Sequence, residues 1–268
     1  MENFKFKKQY GQNFLKDKNL LEAICLDAGI TKDDEVLEIG VGFGALTWFL
    51  CKHAKKVVCY EIDTSLKEKI ADTLSDYNNY EINFKDILSV DNKEISSKFS
   101  KPFKIVANLP YYITTPIIFK FLESDLDIKS LTIMVQSEVG ERICSKHNTK
   151  DYGILSVMVQ SRSDAKVVRK VNRNLFYPVP NVDSCIVNIN IDKHKFKINN
   201  FIKFKHFIQS AFSMRRKTLV NNLKSAGFNM DCIIKVLENL NLNSSVRSES
   251  LSVENLVKLY KALVDDRA

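Results

Sequence analysis

Residues 35–53 constrain the fold more than any other stretch. Glu35-Val36-Leu37-Glu38-Ile39 is a short run of strand character, Gly40-Val41-Gly42-Phe43-Gly44 follows, and Ala45 to His53 then reads as a helix. A strand that empties through glycines into a helix brings backbone N–H groups and a helix N-terminus against a cofactor. The spacing is G-x-G-x-G, not G-x-G-x-x-G. It therefore fits a dinucleotide fingerprint poorly and suits a nucleoside without a pyrophosphate better. No residues for hydride chemistry present themselves, so a nicotinamide oxidoreductase is the least supported reading.

The following segments repeat the alternation. Val57–Tyr60 is a strand ending at Glu61, and Leu66–Leu74 is a helix. Tyr80–Phe84 is a third strand with Asp86 just past its end, and Lys104–Ala107 a fourth that ends in Asn108. Thr115–Leu122 is expected to be helical, Leu131–Val135 a strand and Ser137–Cys144 a helix. Tyr152–Ser161 reads as helix or strand, with helix favoured. Ala165–Val171 and Ser184–Ile191 are closing strands, and Phe176-Tyr177-Pro178-Val179-Pro180 between them is a rigid loop. This order predicts an α/β fold, a mostly parallel sheet with helices on both faces, and ligand-binding residues at the carboxyl ends of the strands. Gly40, Glu61, Asp86 and Asn108 all fall there. Glu61, 21 residues beyond Gly40, is placed to accept both ribose hydroxyls of a nucleoside. Asp86 is placed to take the exocyclic amine of an adenine.

Asn108-Leu109-Pro110-Tyr111 reads as the working end of the fourth strand. Pro110 fixes its own φ and biases Leu109 to an extended conformation, so the turn is stiff. Asn108 offers a carbonyl acceptor and Tyr111 a flat aromatic face, which suits a planar base carrying an amino group.

At both ends the pattern changes. Lys5 to Leu15 interleaves charges and aromatics with no period, as an arm that docks on something. Asp17 caps a helix carrying Leu20, Leu21, Ile24 and Cys25 on one face and stopped by Gly29. From Asn199 the chain becomes all-helix. Phe201, Phe204, Ile208, Ala211 and Phe212 have helical spacing and read as core, whereas Arg215-Arg216-Lys217 is the exposed candidate for phosphate contact. Leu219–Ala226 stops at Gly227, Asn229 opens a helix through Leu240, and Ser252 opens the last one with Leu251 and Leu256 as a hydrophobic staple.

Charge and composition narrow the partners. The net charge is +8, but residues 165–230 hold thirteen Lys or Arg against Asp183 and Asp192. A basic quarter on a mildly acidic body suggests a polyanion-facing surface. The six cysteines are scattered with no C-x-x-C pair, so neither a zinc site nor a disulfide framework is expected. No apolar run is long enough to span a bilayer and no signal peptide is read, so a cytosolic, reducing compartment is expected.

These segments together resemble the KsgA-type rRNA adenine N6-dimethyltransferases nearly end to end. The likeness rests on Lys8–Leu15 (K-Q-Y-G-Q-N-F-L), Glu38–Thr47 (E-I-G-V-G-F-G-A-L-T), Glu61, Asp86, Asn108–Tyr111 (N-L-P-Y), Phe176–Ser184 (F-Y-P-V-P-N-V-D-S) and Phe212–Leu219 (F-S-M-R-R-K-T-L). The resemblance implies a class I methyltransferase, Rossmann-like, with a seven-stranded sheet and a small helical C-terminal domain. The expected division is 1–192, including an arm at 1–16, and 193–268. It implies S-adenosyl-L-methionine as methyl donor, no metal, and a monomer acting on two adjacent adenosines near the 3′ end of small-subunit rRNA. Asn13 and Leu15 would contact the donor from the arm, and Gly40 and Gly42 would let the backbone approach it. Glu61 would hold the ribose hydroxyls, Asp86 the adenine amine, and Asn108 both donor and target. Phe176 would face Tyr111 across the inserted base. Asn181 stands where the family pattern has a lysine, which removes one phosphate contact. Two rivals share parts of the pattern: a large-subunit rRNA methyltransferase of antibiotic-resistance type, and a ribosome-assembly or transcription factor that only binds.

Overall fold

The computed structural model describes residues 13–15 and 17–265. Of the expected N-terminal arm, only Asn13, Phe14 and Leu15 fall within the described residues. The chain divides into two compact units. One runs through Gly140 and resumes over Lys166–Ile191; the other joins Glu141–Ala165 to the segment from Asp192 onward. The second unit thus includes residues 141–165, which lie ahead of the boundary expected at 192/193.

The first unit is built on a seven-stranded, mostly parallel sheet. Its strands are β2 (Glu35–Ile39), β3 (Lys56–Tyr60), β4 (Tyr80–Asn83), β5 (Phe103–Asn108), β6 (Ile128–Gln136), β7 (Ser163–Val171) and β9 (Ser184–Ile191), in the order β4-β3-β2-β5-β6-β9-β7. The β2–β3, β2–β5, β3–β4 and β5–β6 pairs are parallel, and β6–β9 is antiparallel. All five β2 residues are buried, as expected of a central strand covered on both faces. From β2 the order runs to β3 and β4 on one side and to β5 and β6 on the other. That reversal opens a crevice at the carboxyl ends of β2 and β5.

Helices α1 (Lys18–Asp27) and α2 (Ala45–His53) bury Leu20, Leu21, Ile24, Leu46 and Leu50 in one apolar cluster with Val36 and Val57 of the sheet. Asp17 starts α1 by accepting the Leu20 amide at 2.8 Å, and Gly29 ends it at φ +58°. α3 (Lys67–Thr73), α4 (Asn92–Ser97) and α5 (Thr114–Glu123) follow β3, β4 and β5. Pro116 sits in the first turn of α5, where its missing N–H breaks no helical bond. α6 (Ser137–Cys144) follows β6, and Gly140 on it faces β9 so closely that a Cβ there would lie 2.1 Å from Cys185 Sγ.

One element departs from expectation. Residues 176–180 do not form only a loop, because Phe176–Tyr177 is a short strand, β8. It pairs antiparallel with β1 (Phe14–Leu15), with Leu15 opposite Phe176. The Tyr177–Pro178 bond is cis.

The second unit contains α7 (Ile154–Gln160), α8 (Phe201–Ala211), α9 (Leu219–Ser225), α10 (Met230–Asn239) and α11 (Val253–Tyr260). Residues 152–161, readable as helix or strand, are helical over α7. Of the apolar stripe, Phe201, Phe204, Ile208 and Ala211 are buried core and Phe212 is partly buried, and Phe204 meets Tyr260 edge-on at 5.2 Å between centroids. Asn229 and Ser252 cap α10 and α11 through the Cys232 and Asn255 amides, and Leu251 and Leu256 are both buried at the staple positions. Among the described residues no helix is long and apolar enough to cross a membrane.

Candidate active site

The strand tips of the first unit surround a cavity of about 360 Å³. Asn13 and Leu15, Gly40 and Gly42, Glu61, Asp86, and Asn108 through Tyr111 all line it. Every strand-end residue singled out from the sequence is therefore brought to one place.

The glycine loop makes the close approach possible. Gly40 has φ +78° and donates its amide to Tyr60 O at 2.9 Å, which ties the tip of β2 to that of β3. A Cβ on Gly40 would point at Asn108 O, 3.7 Å away, and at Pro110. Gly42 has φ +57°, and a Cβ there would lie 3.0 Å from the Phe14 ring. Phe14 therefore lies directly on the loop, and it also packs on Phe43 at 4.3 Å between centroids.

The acids differ in setting. Glu61 is only 6% exposed; its Oε2 accepts the Gly42 amide at 2.9 Å and its Oε1 accepts the Asp63 amide at 2.8 Å. Burial holds its carboxyl above the usual range, against the opposing pull of those two amides. One carboxylate thus braces both its own turn and the glycine loop. Asp86 borders the cavity and accepts the Leu88 amide at 2.9 Å, while its neighbour Lys85 pairs with Glu94 at 2.8 Å. Between and around them stand Ile62, Ile87, Leu88, Phe43 and Leu46, an apolar lining that sequence reasoning did not single out. Ile62 and Ile87 directly follow the two acids, and that adjacency is the signal that could have found them.

Glu38 was quoted from the sequence only as part of a motif, and it has no access to solvent. Burial raises its carboxyl to about 8, against the pull of the Thr47 hydroxyl and of the Cys59 thiol, which donates at 3.6 Å. Burial therefore favours its protonated form, two residues before Gly40 opens the glycine loop.

On the β5 side, Asn108 Nδ2 donates to the backbone oxygen of Asn13 at 3.4 Å. Pro110, at φ −57°, leads into a single turn over Tyr111–Ile113. Tyr111 is half-buried, and its hydroxyl shares a 2.8 Å hydrogen bond with Ser184 Oγ at the start of β9. The ring is thereby pinned against the sheet.

Phe176 is not brought to the cavity. It is 3% exposed and sits in the apolar cluster with Leu15, Val171 and Ile186. Pairing of β8 with β1 seats it there, and it is not among the residues that line the cavity. Arg215, Arg216 and Lys217 belong to the second unit, on the exposed turn between α8 and α9. Arg215 Nε lies 3.3 Å from Glu249, and the guanidinium also bonds Lys150 O. Among the described residues no group of His, Cys, Asp or Glu could hold a metal ion.

The model of the ribosomal RNA adenine dimethylase family matches residues 3–264. The chain belongs to that family. It is accordingly a methyltransferase enzyme with the class I fold. Its relatives include the "Ribosomal RNA small subunit methyltransferase A" of Clostridioides difficile, 45% identical over 94% of this chain and 89% of that protein. The protein of the same name from Clostridium acetobutylicum is 44% identical over 96% and 93%. Among solved structures, a dimethyladenosine transferase from Plasmodium falciparum superposes with a TM-score of 0.80 at 30% identity, covering 92% of this chain and 95% of that one. The 23S rRNA methyltransferase ErmE gives a TM-score of 0.72 at 27% identity, covering 94% and 99%.

Proposed function

We propose that this enzyme dimethylates N6 of two adjacent adenosines near the 3′ end of small-subunit rRNA, with S-adenosyl-L-methionine as donor. The carrying observation is the cavity itself, where two carboxylates on the β3 and β4 side face an amide and a tyrosine on the β5 side. Its volume falls in the usual range for small-molecule sites. Its residues fit the donor: Glu61 for ribose hydroxyls, Asp86 for an adenine amine, Ile62 and Ile87 for the faces of the ring, and Gly40 and Gly42 for close backbone approach. Asn13 and Leu15 close the arm side.

S-adenosyl-L-methionine supplies a methyl group already activated by its sulfonium charge. The difficult partner is the acceptor, because an adenine N6 lone pair is delocalised into the ring. Asn108 Oδ1 and the Leu109 carbonyl accept the two N6 hydrogens, which orients the nitrogen and favours its pyramidal geometry as it attacks. Pro110 keeps those acceptors in register, and Tyr111 stacks on the base. Since Phe176 is turned inward, the stacking is assigned to Tyr111. No strong general base is required, because the proton can leave to solvent after transfer. The acceptor adenine leaves its helix to enter, and its second methylation follows re-entry beside a fresh donor.

Arg215, Arg216 and Lys217 supply phosphate contacts from the second unit, and the partner is the small ribosomal subunit in the cytoplasm. The two relatives named as small-subunit enzymes support this choice over the large subunit. The test is mass spectrometry of nucleosides after incubation with S-adenosyl-L-methionine and unmethylated small or large subunits. N6,N6-dimethyladenosine in small-subunit rRNA alone is expected; modification confined to the large subunit contradicts the assignment.

A further inference from the structure

Two tyrosines follow one another on the turn after β5, and the structure treats them differently. Tyr111 is half-buried with its hydroxyl held by Ser184. Tyr112 also borders the cavity, yet 58% of its surface is open. The turn that carries both starts at Pro110 and runs directly into α5, so Tyr112 stands on a rigid mount at the rim. Among the described residues the other large apolar side chain that both lines the cavity and is exposed, Ile62 at 43%, follows Glu61 on the opposite, donor side. Tyr112 is thus an aromatic rim residue on the acceptor side.

A nucleotide whose base enters the cavity stays joined to its neighbour by one phosphodiester link. That neighbour's base has to lie over the rim. We propose that Tyr112 is the stacking platform for the nucleobase adjacent to the adenine being methylated, an inference that rests on the reading of the site given above. Stacking needs only a π-face, so the platform accepts a neighbouring adenine before or after its own methylation and favours a purine over a pyrimidine. Tyr112 is then a specificity-determining residue: it lets one pocket work on either of two adjacent adenines.

The experiment is steady-state methylation of unmethylated small subunits by the full-length enzyme and its Tyr112→Ala, Tyr112→Phe, Tyr112→Trp and Tyr112→Leu variants. Donor binding is followed separately by calorimetry. Each enzyme is also assayed on subunits whose neighbouring adenine is replaced by uridine. Removing a base–aromatic stack predicts a KM for subunits raised by about 5- to 150-fold in Tyr112→Ala. kcat and donor Kd should change by less than about twofold. Phe and Trp should restore KM and Leu should not. On the uridine substrate the gap between wild type and Tyr112→Ala should narrow, because a pyrimidine stacks less strongly. An unchanged KM, an equal loss on both substrates, or weakened donor binding overturns the platform while leaving the functional reading intact. Failure of the unaltered enzyme to methylate small-subunit adenines at all overturns both.

Discussion

The side-chain amide of Asn108 donates through Nδ2 to the backbone oxygen of Asn13, 3.4 Å away. A carbonyl can only accept, so the nitrogen of the amide has to face the arm and Oδ1 the other way. Asn13 thereby sets which end of the Asn108 amide is turned away from it. Asn108→Asp keeps the oxygen but removes the donor and places a charge beside the Asn13 carbonyl. Methyl transfer should fall about tenfold or more, in line with loss of one positioning hydrogen bond plus repulsion. Initial rates at saturating donor check this, and wild-type turnover would mean the arm contact is idle.

Gly42 is where the glycine loop meets Phe14. Its φ of +57° costs a side-chain-bearing residue about 1–2 kcal/mol, and its Cβ would press on the Phe14 ring at 3.0 Å. Gly42→Ala should weaken donor affinity about tenfold or more, measured by calorimetry. Gly42→Ala with Phe14→Leu should recover part of the loss, because the smaller side chain relieves the contact but not the backbone strain.

Much of this arrangement was legible in the sequence, for local reasons. β2 and α2 match their expected limits at 35–39 and 45–53 because an apolar run, a glycine cluster and a helical pattern each mark a boundary. Asp17, Asn229 and Ser252 announced helix starts through cap chemistry, which needs only neighbouring residues. What was missed is non-local or short. α4 spans six residues and buries only Ile95, too little to show a period. The β1–β8 pair joins residues far apart in the chain, so nothing near Phe176 indicates that it turns inward. The apolar cavity wall of Ile62 and Ile87 looked like ordinary core until the strand tips were brought together.

Glu38 gives the protein a pH signature. Its carboxyl is raised by burial to about 8, from an ordinary value of 4.5. Between those values the folded state holds a proton that the unfolded chain has released, so stability from this group falls as pH rises and levels off above about 8. The slope is about 1.4 kcal/mol per pH unit at most. Glu38→Gln cannot ionise, so the stability difference between variant and wild type should grow in the variant's favour from pH 5 to 8. Urea denaturation across that range measures it, and a pH-independent difference would show that Glu38 is already ionised.

Packing of α6 on β9 leaves no room at Gly140. A methyl group there would overlap Cys185 Sγ at 2.1 Å and crowd Val187 at 3.1 Å. Gly140→Ala should cost about 1–3 kcal/mol or more of stability. Adding Cys185→Ala should return a good part of it, since the two sites share one space. Thermal melts of both variants check the pair; additive losses would contradict the contact.

Asn108→Ala tests the central claim most directly, with methyl transfer to unmethylated small subunits and donor Kd measured on the same preparation. The account predicts that transfer falls by roughly 100-fold or more, the scale seen when an aligned acceptor or donor is removed from a reacting centre. Donor binding should stay within a few-fold of wild type and the melting profile should be unchanged. Near-normal turnover in that variant would contradict the account, because the amine would then be positioned by something other than Asn108.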